Sequence, residues 1–252
     1  MTDGLKELRA NRFVLEGKDG RVLAELAGTD GVEPRLSLYD GEGNKHAFLA
    51  VLKGTPVMML ISKNGKYNTI ISAEDVGAWL TLIDETGKCR ATLAVDKDGA
   101  SLGLCDEEGR NRSTLGFTGD SSISWLFNRK GKIRAKMSVN SHGFPALALY
   151  DENGKARGKF GVANDTTLLT LADDKNRVRT GISVNKQGPK ISLTDSKQKQ
   201  RILMGVSDTE AMPFLALFNK KGNFEATMGP GENRLKPAAR TKNRRPPKKT
   251  RR

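Results

Sequence analysis

Two histidines, His46 and His142, are the only imidazoles the chain offers for proton transfer or metal ligation. They lie far apart in sequence, neither has a Cys/His/carboxylate cluster beside it, and both read as surface residues at or near loops or on a polar strand face. No Cys-x-x-Cys, His-Glu-x-x-His or phosphate-cradling Gly-x-x-x-x-Gly-Lys-Ser/Thr occurs. Gly99-Ala-Ser-Leu-Gly103 matches the Gly-x-Ser-x-Gly pattern of a nucleophile elbow. That motif needs a strand-to-helix turn and a histidine partner. Here a turn and an ordinary strand carry it, so the match is read as chance. Cys89 and Cys105 are too few for a disulfide framework. The register derived below puts them on opposite strand faces, which predicts reduced, unbridged thiols. The expectation is a chain with no cofactor, no metal and no enzymatic activity.

Charge is the remaining chemistry. Formal net charge is +14, and it is uneven. From Asn233 to Arg252 there are ten Lys/Arg and no Asp/Glu, which leaves 33 Lys/Arg against 29 Asp/Glu in residues 1–232. The segment ending Arg244-Arg-Pro-Pro-Lys-Lys-Thr-Arg-Arg252 has prolines, no aromatics and no apolar periodicity, a composition that does not fold alone. Phosphate contacts from such a segment release counterions and bind in a salt-sensitive, sequence-tolerant way. Arg240, Lys242, Arg244, Arg245, Lys248, Lys249, Arg251 and Arg252 are therefore the candidate polyanion-binding residues. A second column, Arg90, Arg112, Arg134, Arg157, Arg179 and Arg201, recurs at intervals of 22 or 23 residues. It has two readings: pairing with turn carboxylates, or a cationic ladder with a rung every ~10 Å along an anionic polymer. Recurring aspartates raise the question of calcium, but one carboxylate per turn is less than a calcium loop needs, so they read as turn caps.

These residues sit in an internal repeat. A loop position that is usually glycine falls at Gly20, Gly43, Gly65, Gly87, Gly109, Gly131, Gly154, Asn176, Gln198 and Gly222, in steps of 22 to 24 residues. Five residues before each stands a leucine, from Leu15 and Leu38 to Leu193 and Leu217. Seven before and six after are apolar, with Ser124 the exception. Apolar residues two apart make a strand with one buried face, so each repeat reads as two short strands. Asp40, Asp84, Asp106, Asp151, Asp173 and Asp195 stand three before the loop position, with Asn128 and Asn219 as equivalents. Asp or Asn first and Gly fourth is the type I turn signature. If Asp faces Gly across the loop, each leucine faces the residue two after the loop position: Val22, Cys89, Ile133, Val178 and Phe224 in half the repeats. Pro34, Pro56, Pro145, Pro189 and Pro213 lie nine before it, at the start of the first strand, where a missing N–H is tolerated.

The fold expected is all-β: tandem two-stranded repeats of about 22 residues in an antiparallel meander. Residues 1–12 form a lead-in, 13–232 a ten-repeat β domain and 233–252 a disordered basic tail. An uncovered apolar face is costly at ~25 cal/mol per Å². The sheet is therefore expected to close by oligomerisation or curling, with a β-propeller or a β-solenoid as alternatives. At Leu149-Tyr-Asp-Glu-Asn-Gly-Lys155 the repeat resembles the Tyr-Asp repeats of bacterial shell-forming proteins, and its length and hairpin character resemble MORN-type repeats. The likeness is one of period and turn pattern over residues 13–228; tyrosine is rare, and the aromatic-glycine pattern of MORN repeats is absent. The resemblance implies an extended scaffold without catalytic residues.

The function expected is a non-enzymatic β-repeat scaffold or interaction protein whose tail binds nucleic acid or another polyanion, and which forms a homo-oligomer. The alternative is a carbohydrate- or cell-surface-binding module using Tyr39, Phe127, Tyr150 and Phe218. Met1 to Ala10 carries charges and no signal-peptide core, and no apolar run approaches the ~18 residues of a membrane helix, so a cytoplasmic location is expected.

Overall fold

A computed structural model describes residues 7–29, 32–229 and 236–237, and every regular element in them is a β-strand. The chain divides into two compact units, Met1–Gly143 and Phe144–Arg252. In the first, the strands are β1 (Arg12–Glu16), β2 (Val22–Thr29), β3 (Val32–Tyr39), β4 (Lys45–Leu52), β5 (Thr55–Ile61), β6 (Asn68–Glu74), β7 (Gly77–Ile83), β8 (Cys89–Asp96), β9 (Gly99–Cys105), β10 (Asn111–Thr118), β11 (Ser121–Phe127) and β12 (Ile133–Val139). In the second they are β13 (Pro145–Tyr150), β14 (Ala156–Ala163), β15 (Thr166–Ala172), β16 (Val178–Asn185), β17 (Gly188–Thr194), β18 (Gln200–Ser207), β19 (Met212–Phe218), β20 (Phe224–Met228) and the two-residue β21 (Lys236–Pro237).

Within each unit every strand pairs antiparallel with its sequence neighbour, and among the described residues strands contact only those neighbours. The meander is thus open. Among the described residues no strands stack in parallel as in a solenoid, and neither unit pairs its own first and last strands. The local reason is the turn chemistry: each connection is too short for anything but a return beside the preceding strand.

The turns take the expected form with one addition. Gly43 N–H donates to Asp40 O at 3.0 Å, the type I closure, and Asp40 N–H donates to Asn44 O at 2.9 Å. The glycine between lies at φ 86°, in the left-handed region, so the loop is a type I turn followed by a left-handed residue. Asn176 and Gln198 hold that position at φ 58° and 60°.

The expected cross-strand facing needs correction. Leu82 pairs with Ala91, and Ile83 pairs with Cys89, so Arg90 is an extra residue with no partner across the pair. The leucine five before the loop position therefore faces the residue four after it, not two after. The same β-bulge leaves out Arg112, Arg134, Arg157, Arg179 and Arg201, and also His46. A bulge opposes two residues to one, turning both to the same side of the sheet. That puts Cys89 on the face of Cys105, and the opposite-face placement expected for the two thiols is corrected by the same shift.

The two faces differ in chemistry. One carries cross-strand rows such as Leu80–Leu93–Leu102–Leu115 in the first unit. The second unit matches it with Leu147–Phe160–Leu169–Ile182. The expectation that this face is the buried one is not met within the chain. Leu93 is 52% exposed, Leu115 58% and Met137 63%. A single-layer sheet has nothing to lay over it. On the other face the buried residues are mostly small, such as Ser37 at 0% between Glu25 and Phe48 and Ala94 at 7% beside Trp79, with Ile123 also buried.

Candidate functional site

Six of the described hairpin turns carry an aspartate that does two jobs with its two oxygens. Asp173 Oδ1 accepts from the backbone N–H groups of Lys175 at 3.0 Å and Arg177 at 3.1 Å. Asp40, Asp84, Asp106, Asp151 and Asp195 make the same pair of bonds. Asn128 and Asn219 make it with their amide oxygen. The aspartates are therefore the turn caps that their spacing indicated.

The second oxygen, Oδ2, meets the bulge residue. Asp173 Oδ2 lies 3.3 Å from Arg179, Asp106 Oδ2 3.4 Å from Arg112 and Asp151 Oδ2 3.5 Å from Arg157. Arg90 pairs with Asp84 and Arg201 with Asp195 in the same way. Each guanidinium then reaches the next hairpin. Arg179 Nε donates to Thr194 O at 2.6 Å, Arg157 Nε to Ala172 O at 2.8 Å and Arg112 Nε to Phe127 O at 3.0 Å. Arg90 donates to Asp106 O, and Arg201 to Phe218 O at 3.5 Å and to Asn219 O. The result is a clasp: turn carboxylate, bulge cation, carbonyl of the following hairpin. His46 completes the same clasp in arginine's place, with Nε2 at 2.8 Å from Asp40 Oδ2 and Nδ1 at 3.1 Å from Ile61 O. Sequence reading put His46 at a loop and missed this role. The clue was its position, three after Gly43, which is the arginine position.

Electrostatics follow from the clasps. The His46 ring holds the Asp40 carboxyl well below the usual range, helped by the Asn44 N–H, and Asp40 in turn raises the imidazole. For Asp106, partial burial pushes upward, but the Arg110 N–H and guanidinium outweigh it and hold the carboxyl at about 2. The Lys199 N–H, with Arg201, holds Asp195 at about 2 against the same upward push.

A second column was not singled out from the sequence. The residue after the loop position is often cationic and reaches the next turn. Lys88 Nζ donates to Glu107 O at 3.1 Å, Lys155 Nζ to Asp174 O at 2.9 Å, and Lys66 Nζ pairs with Glu85 at 2.9 Å. The third hairpin departs from the scheme. It has Ser62 in place of Asp and Asn68 in place of Arg, β5 and β6 pair without a bulge, and Ser62 N–H donates to Tyr67 O across a longer loop. A groove of about 490 Å³ opens beside it, lined by Leu60, Tyr67, Asn68, Leu82 and Arg90 among others.

The two thiols are neighbours. Cys105 is raised by burial and by hydrogen bonding to Cys89, whose Sγ also lies 3.1 Å from Thr92 Oγ1. Both are free and partly exposed. Among the described residues, no three His, Cys, Asp or Glu side chains gather as metal ligands, and no helix is long and apolar enough to cross a membrane. Tyr39 donates to Glu25 at 3.4 Å and carries the Lys45 ammonium over its ring, and Phe218 meets Phe224 edge-on at 6.1 Å. Arg240, Lys242, Arg244, Arg245, Lys248, Lys249, Arg251 and Arg252 lie outside the described residues. No protein-family model matches the chain, and no curated protein matches it in sequence.

Proposed function

We propose that this chain is a non-enzymatic β-repeat scaffold that carries a polyanion-binding basic segment. The observation that carries the reading is the division of labour among the cations. In the body, Arg90, Arg112, Arg157, Arg179 and Arg201 are each engaged by a turn aspartate and by a backbone carbonyl of the next hairpin. From Asn233 onward, ten Lys/Arg stand with no acidic residue among them. Charge available to a phosphate or sulfate polymer is thus concentrated at the C-terminus, and binding there is electrostatic and tolerant of sequence.

The test is a gel shift with double-stranded DNA, RNA and heparin, at salt from 50 to 200 mM. The full chain is expected to bind with affinity falling steeply over that range, by on the order of 10³-fold if six or more phosphates are contacted. Deleting residues 233–252 should abolish the shift. A shift that survives the deletion moves binding onto the β-repeat body and removes the role proposed for the tail.

A further inference from the structure

We propose that the leucine face of each unit is an interface between copies of this chain, apolar face against apolar face. The inference rests on the scaffold reading but is independent of what the tail binds. Its first support is the composition of the face. At the four inward positions of every repeat (seven and five before the loop position, four and six after) there is no charged residue in ten repeats. The faces of soluble monomers are rarely apolar over more than a few hundred Å².

The second support is area. A half-exposed aliphatic side chain leaves roughly 40 Å² of apolar surface in water. Side chains in that state recur on strand after strand of each unit, from Leu15 and Leu26 to Met137 and from Leu147 and Leu149 to Met204. The sum for the first unit is on the order of 800 Å², which is what one partner contributes to a stable interface.

The third support is pitch, and it selects the occupant. One row on the face alternates large and small, Leu60–Thr69–Leu82–Ala91–Leu104–Ser113–Leu126. Leucine knobs therefore recur every second strand, ~10 Å apart, with small residues between them. A second copy has knobs and gaps at the same spacing and keeps register along the array. A partner of another period loses it within a few strands. Shallow grooves of about 350 Å³ between Leu36, Leu49 and Val51 and about 400 Å³ between Ile191, Met204 and Val206 lie on this face near the prolines.

The experiment is gel filtration with multi-angle light scattering on the full chain over a dilution series, at a salt concentration high enough to silence the tail. The expected mass is a multiple of 27.5 kDa. Leu93→Glu and Leu171→Glu, each at a half-exposed position, should shift the mass to that of one chain with the far-ultraviolet circular dichroism unchanged. A monomeric wild type, or an oligomer that survives both substitutions, overturns the proposal. If either variant unfolds, maleimide labelling of Leu171→Cys in a Cys89→Ser, Cys105→Ser background decides. Labelling that slows as protein concentration rises supports the interface, and a free-thiol rate at every concentration overturns it. Binding of neutral phosphatidylcholine vesicles by a monomeric chain would give the face to lipid instead. An oligomer that shifts no nucleic acid leaves this inference standing and removes only the tail's role.

Discussion

At the scale of single residues, a turn aspartate such as Asp173 joins two effects that substitution can divide. Asp173→Asn keeps the Oδ1 cap and loses the charge that Arg177 and Arg179 hold, while Asp173→Ala loses both. Thermal melting should rank wild type above Asn above Ala; equal melting of Asn and Ala would mean that the cap adds nothing. Gly154, at φ 78°, tests the left-handed loop position. Gly154→Ala is expected to cost about 1 kcal/mol in denaturant titration. Gly154→Asn should cost less, because Asn176 already sits in that conformation. The clasps also set a pH response. Asp106 and Asp195 have lowered pKa values of about 2, so their contribution is present above the unfolded carboxylate range near ~4 and is lost as pH falls toward 2. His46 is raised, so its contribution is full below the unfolded imidazole value of ~6.5 and is lost as pH climbs through the folded value. Melting temperature against pH should therefore fall on the acid side for the whole array. On the alkaline side, His46→Arg should lose less stability than wild type.

At the scale of elements, the hairpin is held by its turn, and the array is held by contacts from one hairpin to the next. The third hairpin, with Ser62 and Asn68, lacks the bulge and its clasp. Local opening follows local contacts. Amide hydrogen exchange in β5 and β6 should therefore be faster than in β15 and β16, where Asp173 and Arg179 close the clasp. Equal protection in the two hairpins would mean that strand pairing alone sets local stability. Strands, turns and the apolar positions were legible in the sequence because a period of two and a type I turn need only local residues. The bulge was not. A one-residue register shift leaves the residue types unchanged, and only the geometry of paired strands shows that Arg90 and Cys89 share a side. The clasp was half legible. The aspartates and arginines stood out as columns, but the carbonyl that joins them across hairpins carries no signal in the side-chain sequence.

At the scale of the molecule, the unanswered side is the leucine face. Self-association through it couples folding to concentration, so melting temperature should rise as protein concentration rises. A melting temperature independent of concentration would argue for a stable single chain with its apolar face open. Association would also gather several basic segments on one particle, and linked weak sites bind a polyanion more tightly than one alone.

What the residues alone determined was the beat: leucines, aspartates and glycines at fixed offsets dictate short antiparallel strands, because alternation and turn formation are local. Tertiary structure decided which side lies uncovered and what the arginines do. Both depend on register across strands, where one extra residue in a hairpin turns a cation from an outward ladder rung into a tie to its neighbour.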